Sequence, residues 1–134
     1  MKQFLLDTNV ILRYLTNDVP SQAEKVKNYL IKAKNGQISI EATKIVVIEV
    51  LFQLKNWYGL NKSEAADKVL TFFSPEWMEL EDKSLIFEAL RIYKSKNIDF
   101  VDIILYLEAG KLGKSILTFD RDFEKLDSKV SKTP

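Results

Sequence analysis

The 134-residue chain has no cysteine and no histidine. Without cysteine there is no disulfide, thiol nucleophile, zinc ribbon or iron–sulfur cluster. Without histidine there is no imidazole acid–base catalysis, no Ser-His-Asp triad and none of the usual zinc or copper sites. A catalytic metal must then be held by oxygen ligands, which selects a hard cation such as magnesium or manganese. A net charge is missing too: 20 basic residues face 19 acidic ones. No global basic field therefore advertises a nucleic-acid partner. Only four glycines and three prolines occur, and 46% of residues are apolar, which fits a helix-rich globule and argues against disorder. Long hydrophobic runs are absent as well. Asp7 cuts the apolar start at Phe4 after three residues, so no signal peptide is read, and nothing approaches the ~20 residues of a membrane span. The expectation is one cytoplasmic domain over 1–134, large enough to bury a core and away from membranes.

What is present alternates between strand and helix signals. Phe4-Leu5-Leu6-Asp7 is too short for a helical pattern and reads as a buried strand, followed by a short helix from Val10 to Leu15. Asn17-Asp18-Val19-Pro20 breaks it. A second helix starts near Pro20, where Ser21 and Glu24 have capping-box spacing, and ends at Gly36. Ile38-Ser39-Ile40 alternates like a strand. The run 44–54 is apolar nearly all round and continues to a glycine stop at Gly59, so a buried helix is expected. Asn61 with Glu64 caps the next helix, Trp77–Leu80 reads as a strand, and Leu85–Tyr93 as a helix. Asp99 reads as the N-cap of a helix closed by Gly113. Ser115–Phe119 gives a last strand, and Asp122–Leu126 a short final helix. Strands alternating with helices predict an α/β fold, a three-layer α/β/α arrangement around a mainly parallel sheet of about four to five short strands.

Four carboxylates stand where a solvated surface charge is not the natural reading. Asp7 and Asp120 each end an apolar strand, and ligands of open parallel sheets bind outside the carboxyl ends of strands. Glu49 is the only charge between Ile45 and Leu54, and Ile45 and Phe52 share its helical face. Asp102 is flanked at helical spacing by Ile98, Leu105 and Tyr106. An unpaired carboxylate on an apolar face costs several kcal/mol, so each needs a partner or a cation. Simpler roles exist: Asp7 and Asp120 can cap the helices that follow, Asp102 can favour a helix dipole, and Glu49 can enter a buried salt bridge. A shared cation accounts for all four at once. All-oxygen sites of this kind serve phosphoryl transfer. Asn9 stands where haloacid-dehalogenase-type phosphatases need a second Asp, and no Gly-rich phosphate loop occurs anywhere.

The segments FLLDTNVILRYL (4–15), VVIEVLFQL (46–54), DFVDIILYLEA (99–109) and ILTFDRDF (116–123) together resemble the PIN domain family, and within it the VapC-type toxins of type II toxin–antitoxin pairs. The resemblance covers nearly the whole chain. It implies a PIN-like fold and a magnesium-dependent ribonuclease, with manganese able to substitute. It puts the four family acids on Asp7, Glu49, Asp102 and Asp120, serving as metal ligands and catalytic residues. Asn9 would accompany the first acid, and Thr118 would supply a hydroxyl that hydrogen-bonds into the site. Asp99 and Asp122 are supporting candidates. Asp102 is preferred to Asp99 as the third acid, because Asp99 has a ready role as a cap. The resemblance further implies a cytoplasmic homodimer silenced by a small cognate antitoxin. RNA must reach an acidic pocket, so Arg13, Lys44 and Arg121, near the matching segments, are candidate RNA contacts. The alternative is a non-catalytic PIN-like module that binds RNA or protein and leaves it intact.

Overall fold

Lys2–Leu5 (β1) forms an extended strand; Leu6 follows, and then Asp7 caps helix Thr8–Thr16 (α1). A computed structural model describes residues 1–127 and 129–134. Its contacts divide the chain into two compact units, Met1–Lys83 and Ser84–Pro134.

In the first unit, α1 turns through Asn17, in the left-handed region at φ 53°, into Pro20–Lys34 (α2). Pro20 occupies the first helical position, so Val19 is the cap residue and makes no side-chain capping bond. Ser21 thus lies inside the helix, two positions past the cap, and the expected capping box with Glu24 does not arise. Strand Ile38–Ala42 (β2) leads to Lys44–Asn56 (α3), Lys62–Phe73 (α4) and Met78–Leu80 (β3). The capping box at Asn61 and Glu64 forms as read from the sequence. The sheet is parallel in the order β1-β2-β3, with Phe4 opposite Ile40 and Ile40 opposite Met78.

Because the strands step in one direction, right-handed crossovers deliver both helix pairs to one face. Phe4 meets Tyr29 of α2 there, ring edge to face at 5.7 Å. Ile11, Val47, Val50, Leu54, Val69 and Phe73 are fully buried in this unit. Truncating one of the larger of them to alanine costs about 2–5 kcal/mol. The opposite sheet face carries Gln3, Ser39, Glu41 and Glu79, with Glu41 in register with Glu79. Within this unit, helices therefore form a single layer on the sheet.

The second unit holds all but the first residue of Lys83–Ser95 (α5), then Phe100–Leu112 (α6), Ile116–Leu117 (β4), a 3-10 turn at Arg121–Lys125 and Ser131–Lys132 (β5). Gly113 closes α6 at φ 66°, a conformation that glycine adopts without penalty. Ala109, Ile116 and Phe123 form a small buried cluster joined by Tyr106 and Val130.

The α/β class and the parallel sheet are as expected, but the sheet is smaller. It has three strands rather than four to five, and β4 pairs in parallel with β5 instead. The Ile116 and Thr118 N–H groups donate to the carbonyls of Val130 and Lys132, at 2.8 and 2.9 Å. Those donors are satisfied by a two-residue strand that carries no periodicity to read. Among the described residues, no helix is long and apolar enough to cross a membrane.

Candidate active site

Asp7 leaves β1 and becomes the N-cap of α1, its Oδ1 accepting from the Thr8 N–H at 2.8 Å. The capping alternative is thus realised, and it leaves the second oxygen of an exposed carboxylate for another role. Asn9 lies in the first turn of α1 and is exposed.

Glu49 sits mid-helix in α3, exposed, and its Oε1 accepts from the Gln53 side-chain amide one turn on, at 3.0 Å. Its neighbours reverse the sequence expectation. Ile45 is 77% exposed and Phe52 60% exposed, so the face they share with Glu49 is not core. The periodicity correctly put the three on one face. The core instead takes Val47, Val50, Leu51 and Leu54 from the other side of the helix.

The second unit gathers its acids more tightly. Asp102 lies half-buried in the first turn of α6. Its carboxyl titrates above the ordinary range, first through burial and then through the negative charges of Asp120, Asp99 and Asp122. A helix N-terminus favours the ionised form. Burial and like charge outweigh that preference here. Asp99 occupies the N-cap position of α6, as expected, but makes no side-chain capping bond. Asp120 caps the 3-10 turn, accepting from the Asp122 N–H at 2.8 Å, while its own N–H donates to Thr118 Oγ1 at 2.9 Å. The Thr118 hydroxyl therefore orients the backbone that carries Asp120. Asp122 pairs with Lys125 at 3.0 Å.

The basic candidates differ in how far they are engaged. Arg13 donates to Gln22 Oε1 at 2.9 Å and to Asp18 Oδ2 at 3.3 Å. Lys44 pairs with Asp82 at 2.9 Å, and its backbone N–H donates to Glu81 Oε1. The Arg121 side chain is 85% exposed and meets Glu124 one turn on, at 3.3 Å. Asp18 and Tyr58, which bind each other and Arg13, and Gln22, which binds Arg13, were not legible as a group. Asn17-Asp18-Val19-Pro20 reads only as a helix break, and nothing in the sequence connects it with position 58.

The donor chemistry suits a hard divalent cation: carboxylate, amide and hydroxyl oxygens are present, and imidazole and thiolate are wholly absent. The negative charge crowding Asp102 is of the kind a cation would relieve. Among the described residues, no three Asp or Glu side chains form a group that could hold a metal ion.

A family model described as PIN domain matches residues 4–129. A VapC ribonuclease of Aquifex aeolicus (strain VF5) is 27% identical over 127 residues, which is 94% of this chain and 93% of that relative. A crystal structure of VapBC2 from Rickettsia felis, bound to a DNA fragment from their promoter, aligns over 98% of each chain at 16% identity with a TM-score of 0.41. The family match takes in Asp7, Glu49, Asp102 and Asp120 together with the helices and strand ends that carry them. The chain belongs to the PIN domain family.

Proposed function

We propose that the protein is a metal-dependent endoribonuclease, the toxin of a type II toxin–antitoxin pair. The observation that carries this reading is the PIN match over 4–129 together with near full-length similarity to a VapC ribonuclease. Asp7, Glu49, Asp102 and Asp120 are the proposed metal-holding and catalytic acids, with magnesium as the ion and manganese as its substitute. When bound, such an ion lowers the pKa of a water and offsets charge developing on phosphate oxygens.

The chain's own residues have separable tasks in this reading. Asp7 keeps one oxygen on the α1 backbone and offers the other. Asn9, in the first turn of α1, accompanies it. Thr118 holds the turn that presents Asp120. Asp102 carries the carboxyl that burial and its acidic neighbours raise, and Asp99 and Asp122 add to the field that draws the cation. Arg121 is the most exposed of the three candidate RNA contacts, while Arg13 and Lys44 already carry internal ion pairs. The absence of histidine disfavours cleavage through the 2′-hydroxyl, which needs a general acid and base near neutral pH. The products expected are 5′-phosphate and 3′-hydroxyl ends.

A small cognate antitoxin and a second copy of the chain are the proposed protein partners, and the cytoplasm the proposed location. Pure protein incubated with structured RNA should cut it, and an Asp7→Asn preparation purified identically should not. RNA that is bound but left intact by the wild type would favour the non-catalytic PIN-like module instead.

A further inference from the structure

In the first unit, side chains from α1, the turn after it, α2 and the segment that follows α3 close a polar cluster. The Asp18 carboxylate accepts from the Tyr58 hydroxyl at 2.7 Å, the Thr16 hydroxyl at 3.0 Å and Arg13 Nη1 at 3.3 Å. Arg13 Nη1 also reaches Tyr58 Oη at 3.5 Å, and Arg13 Nε donates to Gln22 at 2.9 Å. We propose that Arg13, Asp18 and Tyr58 form a positioning clamp that fixes the helix begun by Asp7 against the helix that carries Glu49. The proposal rests on the nuclease reading above, since it concerns the spacing of two of its acids.

Both ends of the clamp are stiff. Arg13 lies in the last turn of α1, and the N–H of left-handed Asn17 donates to the Arg13 carbonyl at 3.0 Å. The planar guanidinium addresses Gln22, Asp18 and Tyr58 at once from a fixed fork of donors. At the other end, the Trp57 and Tyr58 N–H groups both donate to the Gln53 carbonyl, at 2.9 and 3.1 Å. Tyr58 is thereby welded to the last turn of α3. Gln53 in turn holds Glu49 Oε1 through its side-chain amide at 3.0 Å. An unbroken path thus runs from the α1–α2 turn through Asp18, Tyr58 and Gln53 to the Glu49 carboxylate. Asp18 titrates below the ordinary carboxylate value, chiefly through the Tyr58 hydrogen bond, as a carboxylate built into a fixed network does. An arginine held this way cannot also serve RNA as a mobile phosphate contact, so the clamp and the RNA-contact role for Arg13 make opposite predictions.

Tyr58→Phe removes one hydroxyl and keeps the ring. Displacing reacting groups by a fraction of an ångström costs roughly tenfold in rate or more. The expected result is therefore a kcat on the order of tenfold lower, with KM for RNA unchanged. Manganese binding, read without RNA from the free-ion magnetic resonance signal, should weaken severalfold. Asp18→Asn should move both quantities the same way. All variants are measured well below their own melting temperatures, so that global stability does not enter. Wild-type kcat and manganese affinity in both variants, or a rise in KM alone, would overturn the clamp. Asp7→Asn separates the two levels of inference. Loss of cleavage and manganese binding in Asp7→Asn, with both retained in Tyr58→Phe, removes the clamp and keeps the nuclease reading. Retention of both in Asp7→Asn removes the nuclease site and the clamp with it.

Discussion

Glu49 and Asp102 look alike in the sequence, each an acid set among apolar residues of a helix, yet the structure gives them different surroundings. Glu49 is exposed, held by Gln53, and its apolar neighbours Ile45 and Phe52 are exposed with it. Asp102 is half-buried, and burial together with Asp120, Asp99 and Asp122 raises its carboxyl. Helical spacing establishes which residues share a face, not whether that face turns inward. What distinguishes Asp102 is the company of other acids: Asp99 at the cap of its own helix, and Asp120 and Asp122 from the turn that follows β4.

If both acids serve one reaction despite these settings, removing either carboxylate should be severe. Glu49→Gln and Asp102→Asn should each lower RNA cleavage by on the order of a hundredfold or more, the scale for removing a group that acts on transition-state charge. A steady-state assay on folded protein decides it. Near-normal rates in Glu49→Gln would break the equivalence and leave the second unit's acids as the working set.

Asp7→Asn should abolish cleavage while keeping α1 intact, because Asn caps about as well as Asp. Magnesium or manganese at about 100 times its dissociation constant adds roughly 2.7 kcal/mol to the wild type, several degrees in Tm for a chain of this size. Asp7→Asn should lose most of that rise. A metal-free Asp7→Asn that melts clearly lower than wild type would instead make Asp7 a partner of some buried positive group.

The fold was legible where local chemistry decides it. The Asn61–Glu64 capping box, the Gly113 stop and the Asp7 cap all follow from residue types at fixed offsets. Reading failed where a tertiary choice intervened. The outward turn of Ile45 and Phe52 depends on which face of α3 met the core, and β5 exists only because residues 130–132 accept the N–H groups of β4. The four proposed acids were singled out by an expected misfit with apolar surroundings, which half-buried Asp102 meets and exposed Glu49 does not. The cluster joining Arg13, Asp18, Gln22 and Tyr58 spans 45 positions and leaves no periodic trace.

The pH dependence of stability sharpens the contrast more gently. The folded-state pKa of Asp102 lies above its unfolded value of 3.8, so the folded protein binds the proton more tightly. Stability contributed by this group is present below that unfolded value and is lost as pH rises through the raised folded one. Without divalent cation, Asp102→Asn should therefore melt slightly higher than wild type near neutral pH and flatten the pH profile on the acid side. An Asp102→Asn that melts lower at neutral pH would mean the carboxylate has a favourable partner. The smallest effect belongs to Asp99→Asn. Its side chain makes no capping bond, and cleavage should stay within a few-fold of wild type. Equal damage from Asp99→Asn and Asp102→Asn would place both carboxylates in the reaction.

The most direct measurement is RNA cleavage by the purified protein before and after EDTA, with magnesium or manganese then restored. The proposed site requires cleavage to stop with EDTA, to return with either ion, and to be missing throughout from an Asp7→Asn preparation made the same way. Cleavage that persists undiminished in EDTA, in a preparation whose Asp7→Asn counterpart is silent, would contradict a metal-dependent reaction at these carboxylates.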